Sequence, residues 1–470
     1  MKKFNKDSYL KKLKFKRNWQ RFSKYFCVGI PCVLCLVLGI YFAYSKFFVS
    51  KEQSVVRTAV GDFIYGDVVI NAYIDGEYSS TIPGKNDGYV VDKVSCDNGA
   101  VGEWNNDKWG LLTTNLSKRT KCNVYFKKVV SKVSDIIAQL DTTGKCPTMN
   151  ADGSVNVTGV EATNGYLCKA KDAYGDSYYY RGNVTNNYVK FADKYWRIVR
   201  INGDGTVRVI YDGTSAHANG ESSSDRQIGT SAFNSSSNDN AYVGYMYGTT
   251  GASSYAAAHA NTNDSTIKTY IDNWYKTNMF GTTNEQYLAD NVFCNDRSIS
   301  TYTTSSNTKL GYGTNSTYYR WVYSPWDGTN YGNMTMMLTC PQKNDAFTVS
   351  DSTNGNGALT YPVGLLSTDE IVLAGGWNAS NIGYYLCSGG IWWASSPFNF
   401  GGYSAYVRRV NSDGSASNAY LVDGYYGVRP VFNLKAEVLK YGNGTASNPY
   451  RLTESLKSYE GEGGETGGFE

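Results

Sequence analysis

The chain has 470 residues, too many for one ordinary core, so two or more domains are expected. Its 45 basic and 41 acidic residues give +4, yet ten of the basic residues and a single acid, Asp7, lie in residues 1–24. The other 35 basic and 40 acidic residues leave the body at −5, which excludes a basic face for phosphate and a nucleic-acid partner.

After this basic block, residues 25–45 read YFCVGIPCVLCLVLGIYFAYS, uncharged and long enough to cross the hydrocarbon core, even with Pro31. The positive flank precedes the run. The expectation is therefore a single-pass transmembrane signal-anchor, with residues 1–24 as a basic cytoplasmic segment and the chain after Lys46 extracellular, a cell-membrane localisation. Ala43-Tyr44-Ser45 has the small-x-small form of a cleavage site, but the long basic and apolar runs favour an uncleaved anchor.

Export makes disulfides available to the cysteines beyond the apolar run. Sequence neighbours give the pairs Cys96–Cys122, Cys146–Cys168 and Cys294–Cys340, and leave Cys387 odd. None of the seven cysteines beyond the apolar run has CxxC spacing and the only histidines are His217 and His259, so no zinc site, metal or cofactor is expected.

Residues 55–128 read as a small all-β, sandwich-like module. DVVINAYIDGEYSS alternates polar and apolar residues and turns at Asp75-Gly76, and VVDKVSCDNG and KCNVYFKK each add a strand with one cysteine of the first pair. Val130, Val133, Ile137 and Leu140 recur at three and four, predicting a helical connector over 129–144 ended by Gly144.

Residues 146–436 form the large domain. KYWRIVRINGDGTVRVIYDG predicts two strands about the turn Asn202–Gly205. STIKTYIDNWYKTN sets Ile267, Tyr270, Ile271, Trp274 and Tyr275 on one helical face with Ser265 as N-cap, and Ser367 with Glu370 predicts a capping box. Residues 437–470 are expected to be a carboxyl-terminal extension, disordered from about 455, where the sequence turns acidic and Gly-rich.

Five segments in this domain, YWRIVRI (195–201), STIKTYIDNWY (265–275), VGLLSTDEI (363–371), WWASSP (392–397) and GVRPVFNL (427–434), carry a resemblance over roughly residues 170–436. Their order resembles the C-type-lectin-like fold in its formylglycine-generating-enzyme branch, as found in exported proteins of Gram-positive gut bacteria. The resemblance implies an α+β head with long loops and paired amino and carboxyl strands. The branch's reactive cysteine pair has no match here, since only Cys387 stands near the carboxyl end, and neither calcium motif of the sugar-binding lectins, Glu-Pro-Asn or Gln-Pro-Asp, occurs. The Asn-x-Asp-Gly pieces at 202–205 and 411–414 read as hairpin turns.

The chain is also similar to the variable proteins of diversity-generating retroelements, in which the last loops before a G-V/F-R-P strand carry the binding surface. That likeness, and the Tyr, Asn, Ser and Gly content of 377–426, place ligand contacts at Asn378, Asn381, Tyr385, Phe398, Asn399, Phe400, Tyr403, Tyr406, Arg408, Asn418, Tyr420, Asp423, Tyr425 and Tyr426. Trp392, Trp393, Pro397, Arg429, Pro430, Trp196 and Trp274 read as scaffold. Alternation already prevents Tyr406, Val407 and Arg408 from all facing one way.

His217 and His259 sit in small-residue loops without a nucleophile elbow and read as solvated loop residues, so no catalytic residue is assigned. The expected function is non-enzymatic, adhesin- or receptor-like binding of a protein or glycan at the cell surface. The alternatives are a surface hydrolase of polysaccharide or cell wall, and an envelope structural protein.

Overall fold

The structure is a computed structural model that describes residues 14–16, 69–84, 89–105, 109–115, 120–128, 131–301, 305–320, 335–377, 380–416 and 419–454. The chain divides into two compact units, Met1–Lys128 and Val129–Glu470.

In the first unit, Val69–Ile74 turns at Asp75-Gly76, both with positive φ, into Glu77–Ser79. Lys121–Lys128 pairs in parallel with Val69–Ile74 and antiparallel with Tyr89–Cys96, which completes a four-stranded sheet. A separate hairpin, Val101–Asn105 with Gly110–Thr114, sends Leu111 and Trp104 onto the sheet residues Val124 and Phe126. The Trp104 ring lies 5.3 Å from Phe126, edge-on, and Cys96–Cys122 bridges neighbouring strands behind it.

The second unit is built on two larger sheets. The first runs Val431–Leu434, Val207–Gly213, Lys194–Ile201, Gly175–Arg181, Tyr166–Asp172, with Tyr188–Phe191 also paired to Lys194–Ile201. The Asn202–Gly205 turn joins its central hairpin, with Asn202 N–H donating to the Thr206 carbonyl at 2.8 Å. Every residue of Val207–Gly213 is buried, so that strand is covered on both faces. Helix Thr266–Asn278, capped by Ser265, buries Ile267, Ile271 and Tyr275. Its Trp274 joins Trp196 and Phe432, the last two rings 4.9 Å apart.

The second sheet runs Thr230–Ala232, Tyr425–Gly427, Trp392–Phe400, Ala405–Val410, Ala419–Leu421, with Thr317–Tyr318 against Trp392–Phe400. Helix Thr368–Ala374 starts on the reciprocal capping box of Ser367 and Glu370 and ends at Gly375 with φ 115°. Cys146–Cys168 and Cys294–Cys340 are disulfides, and Cys387 is a buried free thiol.

Several expectations are corrected by this architecture. The head is mainly β and not α+β, because the helix-period runs are short: Val133–Ile137, Tyr255–Ala258, Thr266–Asn278 and Thr368–Ala374. The strands Tyr166–Asp172 and Val431–Leu434 stand at opposite edges of one sheet, so amino and carboxyl strands are not paired. The connector predicted over 129–144 is only one turn of helix, Val133–Ile137. It belongs to the second unit, with Ile136 in the main core and Lys132 N–H bonded to the Leu439 carbonyl. The extension from 437 is likewise folded in: Val438, Leu439 and Tyr450 are buried, and Tyr450 bonds the strand Tyr188–Phe191. Residues 455–470 lie outside the described residues.

The membrane expectation is also corrected. No helix among the described residues is long and apolar enough to cross a membrane. The longest, Thr266–Asn278, spans about 20 Å against a core of about 30 Å and buries Lys268 and Asp272. The run 25–45 lies outside the described residues, and no described element supports the transmembrane helix, the membrane partner or the cell-membrane localisation drawn from it.

Candidate functional site

The Trp-Trp and Arg-Pro pairs frame the region expected to carry function. Trp392 and Trp393 are buried at the start of a central strand, and Trp393 Nε1 donates to the Ser231 carbonyl at 2.9 Å. Arg429 donates to the carbonyls of Tyr211 (3.0 Å) and Leu386 (2.8 Å) and to Asp212 Oδ1 (2.7 Å). Arg226 reaches the same Asp212 oxygen at 2.7 Å, and Arg197 approaches the other at 3.8 Å. One fully buried aspartate thus gathers three fully buried arginines, whose remaining N–H groups are met largely by backbone carbonyls and amides. Burial pushes Arg429 down to about 10, and Asp212 opposes that shift. Through the Leu386 carbonyl this cluster pins the segment that leads into the Trp-Trp strand.

The expected contact residues do not form one site. Adjacent residues of the strand Ala405–Val410 point to opposite faces, and its two arginines meet different rings. Arg408 is buried, with its Cζ 4.4 Å from the Phe398 ring and 5.8 Å from that of Trp377, and burial pushes its pKa down to about 9. Arg409 instead lies 3.1 Å from the Tyr420 ring centroid and 4.3 Å from that of Tyr426. Tyr426 in turn meets Trp393 edge-on at 5.0 Å and Tyr420 at 5.5 Å. Trp393 is therefore the floor of an aromatic cluster closed over Arg409.

Around that cluster the surface opens. Tyr403 is 89% exposed, Tyr425 72%, Leu421 39% and Tyr420 37%. Asp423 is exposed beside them and accepts a 3.0 Å bond from Ser237 Oγ. Phe398, Asn399 and Tyr406 are half-buried on neighbouring strands, Asn399 paired with Tyr406 across the ladder.

Four of the expected contacts are structural. Tyr385 and Phe400 are core residues, Tyr385 under the Arg197 guanidinium at 5.7 Å. Arg408 is closed off by its aromatic neighbours. Asn381 Nδ2 ties the carbonyls of Ala162 and Gly375, both at 3.1 Å. Asn378 and Asn418 lie outside the described residues. Arg409, Leu421 and Trp393 join the site without having been expected there; the signal for Arg409 was the strand period, which sends one of two adjacent arginines to each face.

The catalytic alternatives find their groups engaged. His217 and His259 are both buried, not solvated, because their loops pack onto the sheets. His259 stacks on Tyr255 at 4.0 Å and donates from Nε2 to the Gly311 carbonyl; burial, with Arg297 nearby, pushes it down to about 3. His217 is bracketed by Glu221 at Nδ1 and Asp225 at Nε2, each 2.8 Å away. Burial lowers its pKa, but the two carboxylates outweigh that and raise it. Ser215 Oγ is 3.3 Å from Nε2; with Asp225 on the same nitrogen, the imidazole has no lone pair there to activate a hydroxyl.

A small, partly open pocket is lined by Asp369, Glu370, Arg200, Arg208 and Arg320. Its carboxylates are held rather than available. Asp369 accepts from Arg320 and the Met337 amide, and Glu370 binds Arg200 and Arg208 while its other oxygen completes the capping box. At the Asn-x-Asp-Gly turns, Asp204 Oδ1 accepts from the Thr206 amide and hydroxyl, and Asp413 Oδ1 does the same with Ser415. Each is an Asx turn closed on itself. Among the described residues no three His, Cys, Asp or Glu are grouped to hold a metal ion.

Residues 257–436 match the model of a family described as a domain of unknown function (DUF6273). That stretch contains both capped helices and most of the second sheet. No curated protein and no solved structure matches the chain.

Proposed function

We propose that the second unit is a ligand-binding domain that acts by non-covalent recognition, and that its contact surface is the tyrosine-rich edge of the second sheet. One observation carries this reading. Among the described residues of that unit, seven large apolar side chains are exposed, and five of them (Ile382, Tyr403, Tyr420, Leu421, Tyr425) fall within 377–426. Soluble proteins scatter such residues singly, and their concentration in one segment points to an interaction site. The chemistry suits binding: tyrosines offer rigid apolar area with a polar tip, and Asp423, Ser237 and Arg409 add directional contacts. Beneath them Trp393 and the Asp212 arginine cluster hold the backbone, so the surface is organised before a ligand arrives. The likeness to retroelement variable proteins supports the same face.

The test uses the full-length protein on glycan and protein arrays, beside Tyr403→Ala/Tyr425→Ala and a control, Phe280→Ala, at an exposed site outside the segment. Binding that the double variant loses and the control keeps supports the reading. Binding retained by the double variant places recognition elsewhere.

A further inference from the structure

Arginines buried in this unit have carboxylate partners in most cases: Arg197, Arg226 and Arg429 on Asp212, Arg297 on Asp345, and Arg200 with Arg208 on Glu370. Arg181 is satisfied by four carbonyl bonds. Arg408 and Arg409 instead have ring faces beside them. Arg409 is only 6% exposed, no carboxylate among the described residues lies within 4 Å of it, and its Nε is buried without a hydrogen-bond partner. Its neighbours are the π faces of Tyr420 and Tyr426 and the Tyr426 hydroxyl. Ring faces and a hydroxyl share a cation's field but, unlike a carboxylate, do not neutralise its charge. The guanidinium is therefore left with unmet capacity for an anion, inside the most exposed aromatic patch of the unit.

The size of that patch points to the kind of molecule that brings the anion. The open parts of Tyr403, Tyr420, Leu421 and Tyr425 amount to roughly 500 Å² at about 200 Å² for a whole aromatic side chain. Stable protein interfaces use about 800 Å² a side, so this patch is short for a folded protein and ample for a few sugar rings. Resting on the binding role proposed above, we infer that Arg409 is the anion subsite of this face and receives the carboxylate or sulfate of an acidic oligosaccharide, whose sugar rings lie on the neighbouring tyrosines. Arg409 is covered chiefly by Tyr420, a part-exposed ring on the three-residue edge strand Ala419–Leu421. An anion would enter as this ring swings aside. The guanidinium then exchanges a π contact for charge-assisted hydrogen bonds, bidentate where a carboxylate is the donor of charge.

The experiment is calorimetric titration of the full-length protein with three oligosaccharides of equal length: an oligogalacturonate, a sulfated galacto-oligosaccharide and a neutral galacto-oligosaccharide. The inference expects at least one acidic ligand to bind tenfold or more tightly than the neutral one, with affinity falling as salt rises. Comparison of the two acidic arms identifies the anion. Arg409→Gln is expected to remove the acidic preference, and Arg409→Lys to restore part of it; an unchanged melting temperature certifies each fold. If neutral and acidic ligands bind equally, or Arg409→Gln keeps the preference, the anion subsite is refuted while the binding face stands. If none of the three binds, the inference falls, and the array experiment above then decides separately whether the face binds anything else.

Discussion

Asp212→Asn removes one negative charge and almost no volume from the centre of the second unit. Asp212 Oδ1 is 2.7 Å from both Arg226 and Arg429, and Arg197 stands 3.8 Å from Oδ2, all four side chains being fully buried. Asparagine keeps an acceptor but leaves three guanidiniums with no counter-charge between them. Breaking a buried pair by removing one partner costs about 3–5 kcal/mol. For a unit on the order of 300 residues, the unfolding entropy is about 0.6 kcal/mol/K, so a loss of about 4 kcal/mol lowers Tm by about 6 °C. Differential scanning calorimetry of the full-length variant reads that shift directly. A Tm within 1 °C of the parent would refute the reasoning and show that the carbonyls of Tyr211, Leu386, Ala218 and Glu221 suffice for the arginines.

Three further outcomes are expected. Since Glu221 and Asp225 raise the pKa of His217 above its ordinary 6.5, the stability it contributes is complete below that value and fades as pH rises through the higher folded one; His217→Gln should therefore lower Tm more at pH 5.5 than at pH 9, and an equal loss at both contradicts the bracketed geometry. Replacing Cys294 and Cys340 by serine opens a loop of 46 residues and should cost about 4 kcal/mol in denaturant unfolding, a midpoint unchanged from the parent arguing against the bond. Ser367→Ala breaks the capping box ahead of Thr368–Ala374 and should cost about 1 kcal/mol in the same assay, with no change meaning that the buried helix is held by packing alone.

Legibility in the sequence followed the range of the interaction. The Asn202–Gly205 turn, the caps at Ser265 and Ser367 and the alternation of Val69–Ser79 are set by residues within a few positions of each other, and each stands in the structure where its local signal lies. The three disulfides join cysteines that follow one another in sequence beyond residue 45. Long-range pairing was not readable. Nothing near Val133 or Tyr450 announces that both ends of this unit fold against its first sheet, and nothing beside Asp212 names Arg226 and Arg429 as its partners. Composition marked 377–426 as a recognition segment but treated its residues as one face. The fold separates them, burying Tyr385, Phe400 and Arg408 and leaving Tyr403, Tyr420 and Tyr425 open. The head was expected to be α+β because the family resemblance implied it, whereas its many short strands become evident only once paired.

The central claim, that the tyrosine edge is the recognition surface, is tested most directly by mass-mapped tyrosine nitration of the full-length protein, free and saturated with an oligosaccharide that binds it. In the free protein Tyr403, Tyr425 and Tyr78, the last 65% exposed in the first unit, should all be modified readily. With ligand present, Tyr403 and Tyr425 should be protected severalfold while Tyr78 is unchanged. Equal modification of Tyr403 and Tyr425 in the two states would contradict the account.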